Sequence, residues 1–258
     1  MCVVTLLPLP GGFVLTSNRD EHISRPRATQ PQTYQVNHQL VIFPKDPQGG
    51  GTWLATSGPT TVCLLNGAFL DQPNELVFKG GPRKSRGLVV LDYFGYATPR
   101  QFADRYDFSS IEPFTLLVVE NIPGSLTIYE LRWNGHQVYL RPISNNQPHI
   151  WSSVTLYTMP TAELRKSWLA DFLRQHPSYT AAELFAFHQS AGDGNPDHDF
   201  VMNRADGPAG GEPNPRDGVR TVSITQITNS KTELTVRYRD LISGDETTVS
   251  PSQWLNSR

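Results

Sequence analysis

The sequence has little cysteine, almost no net charge and no long apolar run. Cys2 and Cys63 are its two cysteines, too few for a disulfide framework and in keeping with a reducing compartment, where one bridge is the limit. Basic side chains number 22 and acidic ones 24, a formal charge of -2. That balance lacks the electrostatic footprint of a general nucleic-acid binder, so no nucleic-acid partner is expected. No apolar run nears the roughly 20 residues that span a bilayer, so no transmembrane segment is expected. The apolar start over 2–9 has no basic leader and is broken by Pro8, Pro10, Gly11 and Gly12, unlike a secretory signal. Position 2 is Cys rather than the Gly that myristoylation requires. A cytoplasmic location is the resulting expectation.

Several catalytic signatures are also missing. The seven histidines include no His-Glu-x-x-His pair, and no Gly-x-Ser-x-Gly elbow occurs, which disfavours a zinc peptidase or a serine esterase. Gly49-Gly50-Gly51 lacks the Gly-Lys-Ser/Thr ending of a phosphate loop. It reads as a turn between strands, or as a loop that lets backbone amides approach a ligand. Residues 193–199 open like a calcium loop, but His198 stands where Gly is needed and Arg204 where Glu is needed, so no metal is expected.

What is present describes a folded globule. Hydrophobic residues make up 38%, aromatics 10% and charged residues 18% of the 258 positions, enough for a sizeable core in a single domain spanning 1–258. Strand-like runs occur at 2–7, 13–17, 40–43, 53–56, 61–65, 115–120, 126–132, 137–140, 221–228, 233–240 and 247–250. Both faces of the first two carry apolar residues, as expected of a sheet covered on each side. Helices are expected at 86–96, at 99–106 with Thr98 as cap, at 161–176, and from a Thr180/Glu183 capping box to about Gln189. In the third, Leu164, Trp168, Leu169 and Phe172 form the apolar stripe. Consecutive strands around a central helical block indicate an α+β layered fold with mainly antiparallel sheets. The Gly-, Pro-, Asp- and Asn-rich stretch 191–218 reads as a long surface loop.

Cys2 carries the most suggestive chemistry. Initiator methionine is usually removed before a small second residue, which would leave a thiol beside a free α-amine. Their reference pKa values, about 8.5 and about 7.7–8.0, let the amine act as general base and the thiolate as nucleophile. With Met1 retained, Cys2 is a plain strand cysteine. Cys63, between Val62 and Leu64, reads as a core thiol. A turn centred on Pro10 makes partner numbers sum to about 20, so Cys2 would face Asn18. Asn18 and Asp20 would then share its face, and Arg19 would join only where the strand ends or bends. A slip of one residue reverses the assignment. In the favourable case Asp20 orients the α-amine, and Arg19 lowers the thiol pKa or holds a substrate carboxylate. A structural network of ion pairs is the competing reading. Glu21 reads as structural, and His22 is the histidine nearest the cluster.

Asn18-Arg19-Asp20-Glu21, then Ser24-Arg25-Pro26 and Gly50-Gly51-Thr52-Trp53-Leu54, resemble the NRDE family, also called transport and Golgi organisation protein 2. Met1-Cys2, Leu65-Asn66-Gly67, Ser85-Arg86-Gly87-Leu88-Val89 and Arg220-Thr221-Val222-Ser223 fall in the matching order. The resemblance implies a four-layer αββα sandwich of the N-terminal nucleophile hydrolase type. It also implies a cysteine amidohydrolase site in which Cys2, Arg19 and Asp20 match well, and Asn66 and Arg220 less closely. Asn66 would stabilise the oxyanion, and Arg19 and Arg220 would place an anionic group. The family often has Leu-Ser-Asn where this chain has Trp151-Ser152-Ser153, which puts one oxyanion-hole amide in doubt at Ser153. The alternative that the resemblance implies is a non-catalytic carrier of haem or of a lipid-like ligand. Hydrolysis needs no cofactor. Haem would be held reversibly, by a His, Tyr or Cys ligand or by apolar packing, since Cys-x-x-Cys-His is missing.

Overall fold

A computed structural model of the chain describes residues 3–69, 84–204, 217–231 and 233–250. Its opening hairpin sets the architecture. In β1 (Val3–Leu9) and β2 (Gly12–His22), every position from 12 to 20 is buried. Strands of this kind need cover on both faces.

The cover comes from a second sheet on one side and helices on the other. β1 and β2 join β10 (His149–Ser152), β11 (Val219–Asn229), β12 (Leu234–Asp240) and β13 (Glu246–Val249) in the order β10-β1-β2-β11-β12-β13. The second sheet runs in chain order through β3 (Gln32–Val36), β4 (Gln39–Phe43), β5 (Leu54–Thr56), β6 (Thr60–Asn66), β7 (Phe114–Ile122), β8 (Ser125–Trp133) and β9 (Val138–Ile143). Period-two alternation sorts the side chains. Val4, Leu6, Phe13 and Leu15 meet Leu54, Cys63, Leu65 and Leu117 between the sheets. Val62 and Leu64 turn outward onto α1 (Arg86–Tyr93) and α2 (Pro99–Arg105). Val3, Leu7 and Val14 turn outward onto α3 (Met159–Gln175) and α4 (Ala181–Ser190). The result is the expected αββα sandwich.

The helix starts follow their sequence signals. Thr98 Oγ1 accepts from the Gln101 amide, and Thr180 with Glu183 closes a capping box. α3 starts two residues before the expected position, at Met159 and Pro160, and buries Arg165 along with Ala162, Leu169 and Phe172. β3 and β10 are strands that the sequence pattern did not indicate. Both are short edge strands with no residue fully buried, so neither carries an apolar alternation to read. In the polar stretch from Ala191, Phe200 and Met202 are buried. Among the described residues, no helix is long and apolar enough to cross a membrane.

The hairpin register corrects the expected one. Leu9 pairs with Gly12 and Val3 with Asn18, so partner numbers sum to 21 rather than 20 and the two faces exchange. Gly11, at φ +72°, permits a two-residue Pro10-Gly11 turn in place of one centred on Pro10. Asn18 and Asp20 consequently face the α3/α4 layer, and Arg19 faces the other sheet.

Asn18 thereby becomes a staple between a sheet and a helix. Its Nδ2 donates to the carbonyls of His188 and Phe200, at 3.0 and 2.7 Å. Its Oδ1 must then accept from His188 Nδ1, 2.7 Å away, which leaves Nε2 to accept from Thr5 Oγ1 at 2.7 Å. Burial, with the charge of Arg165 nearby, holds the His188 pKa down at about 3 against 6.5. The unfolded chain therefore binds more protons between those values. Stability is full above pH 6.5 and is lost as pH falls, by up to about 1.4 kcal/mol per unit from this group. His188→Gln should flatten the dependence between pH 6.5 and 4.5, read as urea midpoints; an undiminished slope in the variant would contradict the assignment.

Candidate active site

Arg19 is only 4% exposed, and a guanidinium so placed needs carboxylates within reach. It has two: Nη2 lies 3.3 Å from Glu21 Oε2 and 3.6 Å from Asp46 Oδ2. Arg25 closes the square, with Nη2 2.8 Å from the same Asp46 oxygen and Nη1 3.5 Å from the same Glu21 oxygen. The Arg19 guanidinium also stacks 4.8 Å above the Trp53 ring.

The glycine motif fixes Asp46. Its Oδ1 accepts from the amides of Gln48 and Gly49 at 3.0 and 3.3 Å, and its backbone pairs with Gly50 and Gly51. Gly51 then lies directly on Gly87. A Cβ built on Gly51 would meet the Gly87 carbonyl carbon at 2.2 Å, and the Thr52 amide donates to Gly87 O at 3.1 Å. Of the two sequence readings of this loop, the structure shows a tight turn whose backbone packs on another backbone.

These contacts surround a polar pocket of about 270 Å³. Arg19, Glu21, Arg25, Trp53, Asn66 and Arg86 contribute to its wall, so segments from every motif of the first 90 residues that the structure describes meet there. Arg86 is paired with Glu112 at 3.2 Å and Lys84 with Asp92 at 2.6 Å. Asn66 ends β6, and its carbonyl accepts from Ser153 Oγ at 3.1 Å and the Val154 amide at 3.2 Å. Ser153, the departure from the family pattern, thus ties the end of β10 to the pocket wall.

Asp20 points the other way, into the α3/α4 layer. Its Oδ2 accepts from Tyr157 Oη and its Oδ1 from Thr221 Oγ1, each at 2.5 Å. The Tyr157 ring lies 3.7 Å beneath the guanidinium of Arg165, which is fully buried. Arg220 pairs with Glu21 across the sheet, and a bulge between Thr221 and Ser223 brings Arg220 onto Arg19's face. Its Nε is buried with no hydrogen-bond partner among the described residues. Cys2 lies outside the described residues.

Other candidates separate from this site. His22 is exposed and pairs with Ser24 at 2.6 Å. Cys63 is fully buried between the sheets, and burial pushes its thiol pKa up. Asp193, His198 and Asp199 gather within 4.8 Å, joined by a 2.8 Å contact from His198 Nε2 to Asp193 Oδ1. Sequence reasoning missed Asp46, Glu112 and Tyr157, which carry no motif of their own. Arg25 and Trp53 were visible inside quoted motifs.

Two face-to-face antiparallel sheets between helical layers define an N-terminal nucleophile hydrolase fold. A mutant conjugated bile acid hydrolase from Clostridium perfringens superposes with a TM-score of 0.55 at 10% identity, covering 97% of this chain and 93% of that one. A second variant of that enzyme gives 0.54 at 10% identity, covering 100% and 93%. At such identity the likeness is one of fold. The sequence profile of Transport and Golgi organisation 2 matches residues 1–205, and the chain belongs to that family. No curated protein matches it in sequence.

Removing Asp46 should expose how much the ion square contributes. Asp46→Ala strips a shared carboxylate from buried Arg19 and should cost about 3 kcal/mol of stability. Asp46→Asn keeps an acceptor for the Gln48 and Gly49 amides and should cost less. Chemical denaturation of both variants checks this; an Asp46→Ala loss below about 1 kcal/mol would show that Glu21 alone suffices.

Proposed function

We propose that this chain is a cysteine amidohydrolase that uses Cys2 as its N-terminal nucleophile once Met1 is removed, on a small amide bearing an anionic group. The observation that carries the reading is the convergence of the family motifs on one polar, arginine-walled pocket beside the start of β1. Val3, the first described residue of β1, pairs with Asn18, next to Arg19. Val4 and Leu6 lie on Arg19's face of the sheet.

In this reading the α-amine takes the thiol proton and the thiolate attacks the amide carbonyl. The oxyanion is stabilised from the Asn66 side of the pocket. The ammonium then protonates the departing amine, leaving a thioester that water hydrolyses with the amine again as base. Asp20, its carboxylate held by Tyr157 and Thr221 on the opposite face of β2, anchors that strand beside the site and does not reach the amine. Arg19 and Arg220 place the anionic group. A reducing compartment such as the cytoplasm keeps the thiol free.

The charged, arginine-walled lining of this pocket and its volume of about 270 Å³ favour a small anionic ligand over one of haem size.

Intact mass of untagged protein, followed by iodoacetamide labelling across pH, tests the reading. The expected result is a chain without Met1 whose Cys2 alkylates well below its reference pKa of about 8.5, and whose Cys2→Ala variant loses all amide hydrolysis. A retained Met1 with an unreactive Cys2 would sink the hydrolase and direct attention to haem titration followed at the Soret band.

A further inference from the structure

A second cleft, of about 460 Å³, opens between the edge of the first sheet and strands β8 and β9 of the second, with α3 along its rim. The partition between it and the polar pocket is the end of β6. Leu64 and Asn66 line the polar pocket, whereas Leu65 and Gly67 line the cleft, as alternation along one strand requires. Ser152, which pairs with Val3 from the other side of β1, also lines the cleft. The start of β1 thus has the cleft on its β10 side and the Arg19 pocket on its β2 side.

The two spaces differ in chemistry. The polar pocket is walled by ion pairs, whereas the cleft presents Leu65, Ile143, Ile150, Trp151, Val154 and Met159 beside charged side chains that pair with one another, Arg132 and Arg141 with Glu130 and Lys166 with Glu163. Met159 is 47% exposed, a large apolar side chain left in water at the lip. The most buried of these charges, Glu130, is fully satisfied. Its side chain is 3% exposed and accepts from Arg132 Nε and Nη2 at 3.0 Å, Arg141 Nε at 2.8 Å and Trp151 Nε1 at 2.7 Å. Burial works to raise its pKa, but these partners hold it at about 2. The carboxylate therefore fixes Trp151 in the wall and leaves the apolar groups to meet a ligand.

We infer that the cleft is the acyl subsite of this site, holding the unbranched apolar chain of an N-acyl amino acid whose carboxylate lies in the Arg19 pocket. The inference rests on the hydrolase reading for the position of the amide, which spans the partition at the start of β1. The apolar side chains of the cleft favour each methylene they cover, and the arginines of the polar pocket favour the carboxylate.

Calorimetric binding of N-acylglycines of increasing chain length to the Cys2→Ala full-length protein tests the cleft apart from catalysis. Each added methylene should tighten binding about fourfold until the cleft is full. Ala162, 5% exposed on α3 and part of the lining, should flatten the series when changed to Phe. Met159→Asp, at an exposed position that folding tolerates, should weaken the long-chain ligands and leave N-acetylglycine unchanged. A flat series in the parent protein, or an undiminished one in both variants, overturns the subsite. Wild-type protein that cleaves none of these amides, while Cys2→Ala retains the chain-length series, would remove the hydrolase and keep the cleft. Cleavage with a flat series would do the reverse.

Discussion

A positive charge buried between two β-sheets is the constraint on which this pocket depends. Arg19 lies on the sheet-facing side of β2 beyond Phe13 and Leu15, and a lone guanidinium there would be costly to desolvate. Glu21 and Asp46 make the position tenable, and each also holds Arg25. The loop after β4 has to return to present Asp46, and the glycines at 49–51 allow that return at close range. The polar pocket is the space left beside this requirement.

A comparable balance governs the far edge of the same sheet pair. Glu130 is as buried as Arg19 and is matched by two arginines and an indole N–H from β8, β9 and β10. These partners join the edge of one sheet to that of the other, where apolar contact is thinner. Asn18 and His188 do the same on the opposite face without any charge. Three polar groups, each satisfied by a different chemistry, thus fix three separate seams of the sandwich.

Much of the layered architecture was legible because alternation and capping are local. Apolar residues on both faces of β1 and β2 announced a doubly covered sheet, and Thr98, Thr180 and Glu183 marked helix starts. The edge strands β3 and β10 were not legible, since a strand with no fully buried residue has no pattern to show. The hairpin register turned on one residue, Gly11, whose positive φ shortens the turn and exchanges the faces of Arg19 and Asp20. For the site, the residues inside motifs led to the pocket, whereas Asp46 and Tyr157 gave no signal. Their roles arise from partners 27 and 137 positions away, contacts that only the folded chain creates.

The backbone contact between Gly51 and Gly87 makes the glycine loop and the start of α1 one rigid block. The opening of the polar pocket on that side is therefore set by peptide groups, which do not change with side-chain identity. Natural variation or engineering can alter the charges that face a ligand, but it has little purchase on the pocket's width. Within a lineage of such chains, selectivity would diversify by electrostatics in the narrow space and by shape in the broad one.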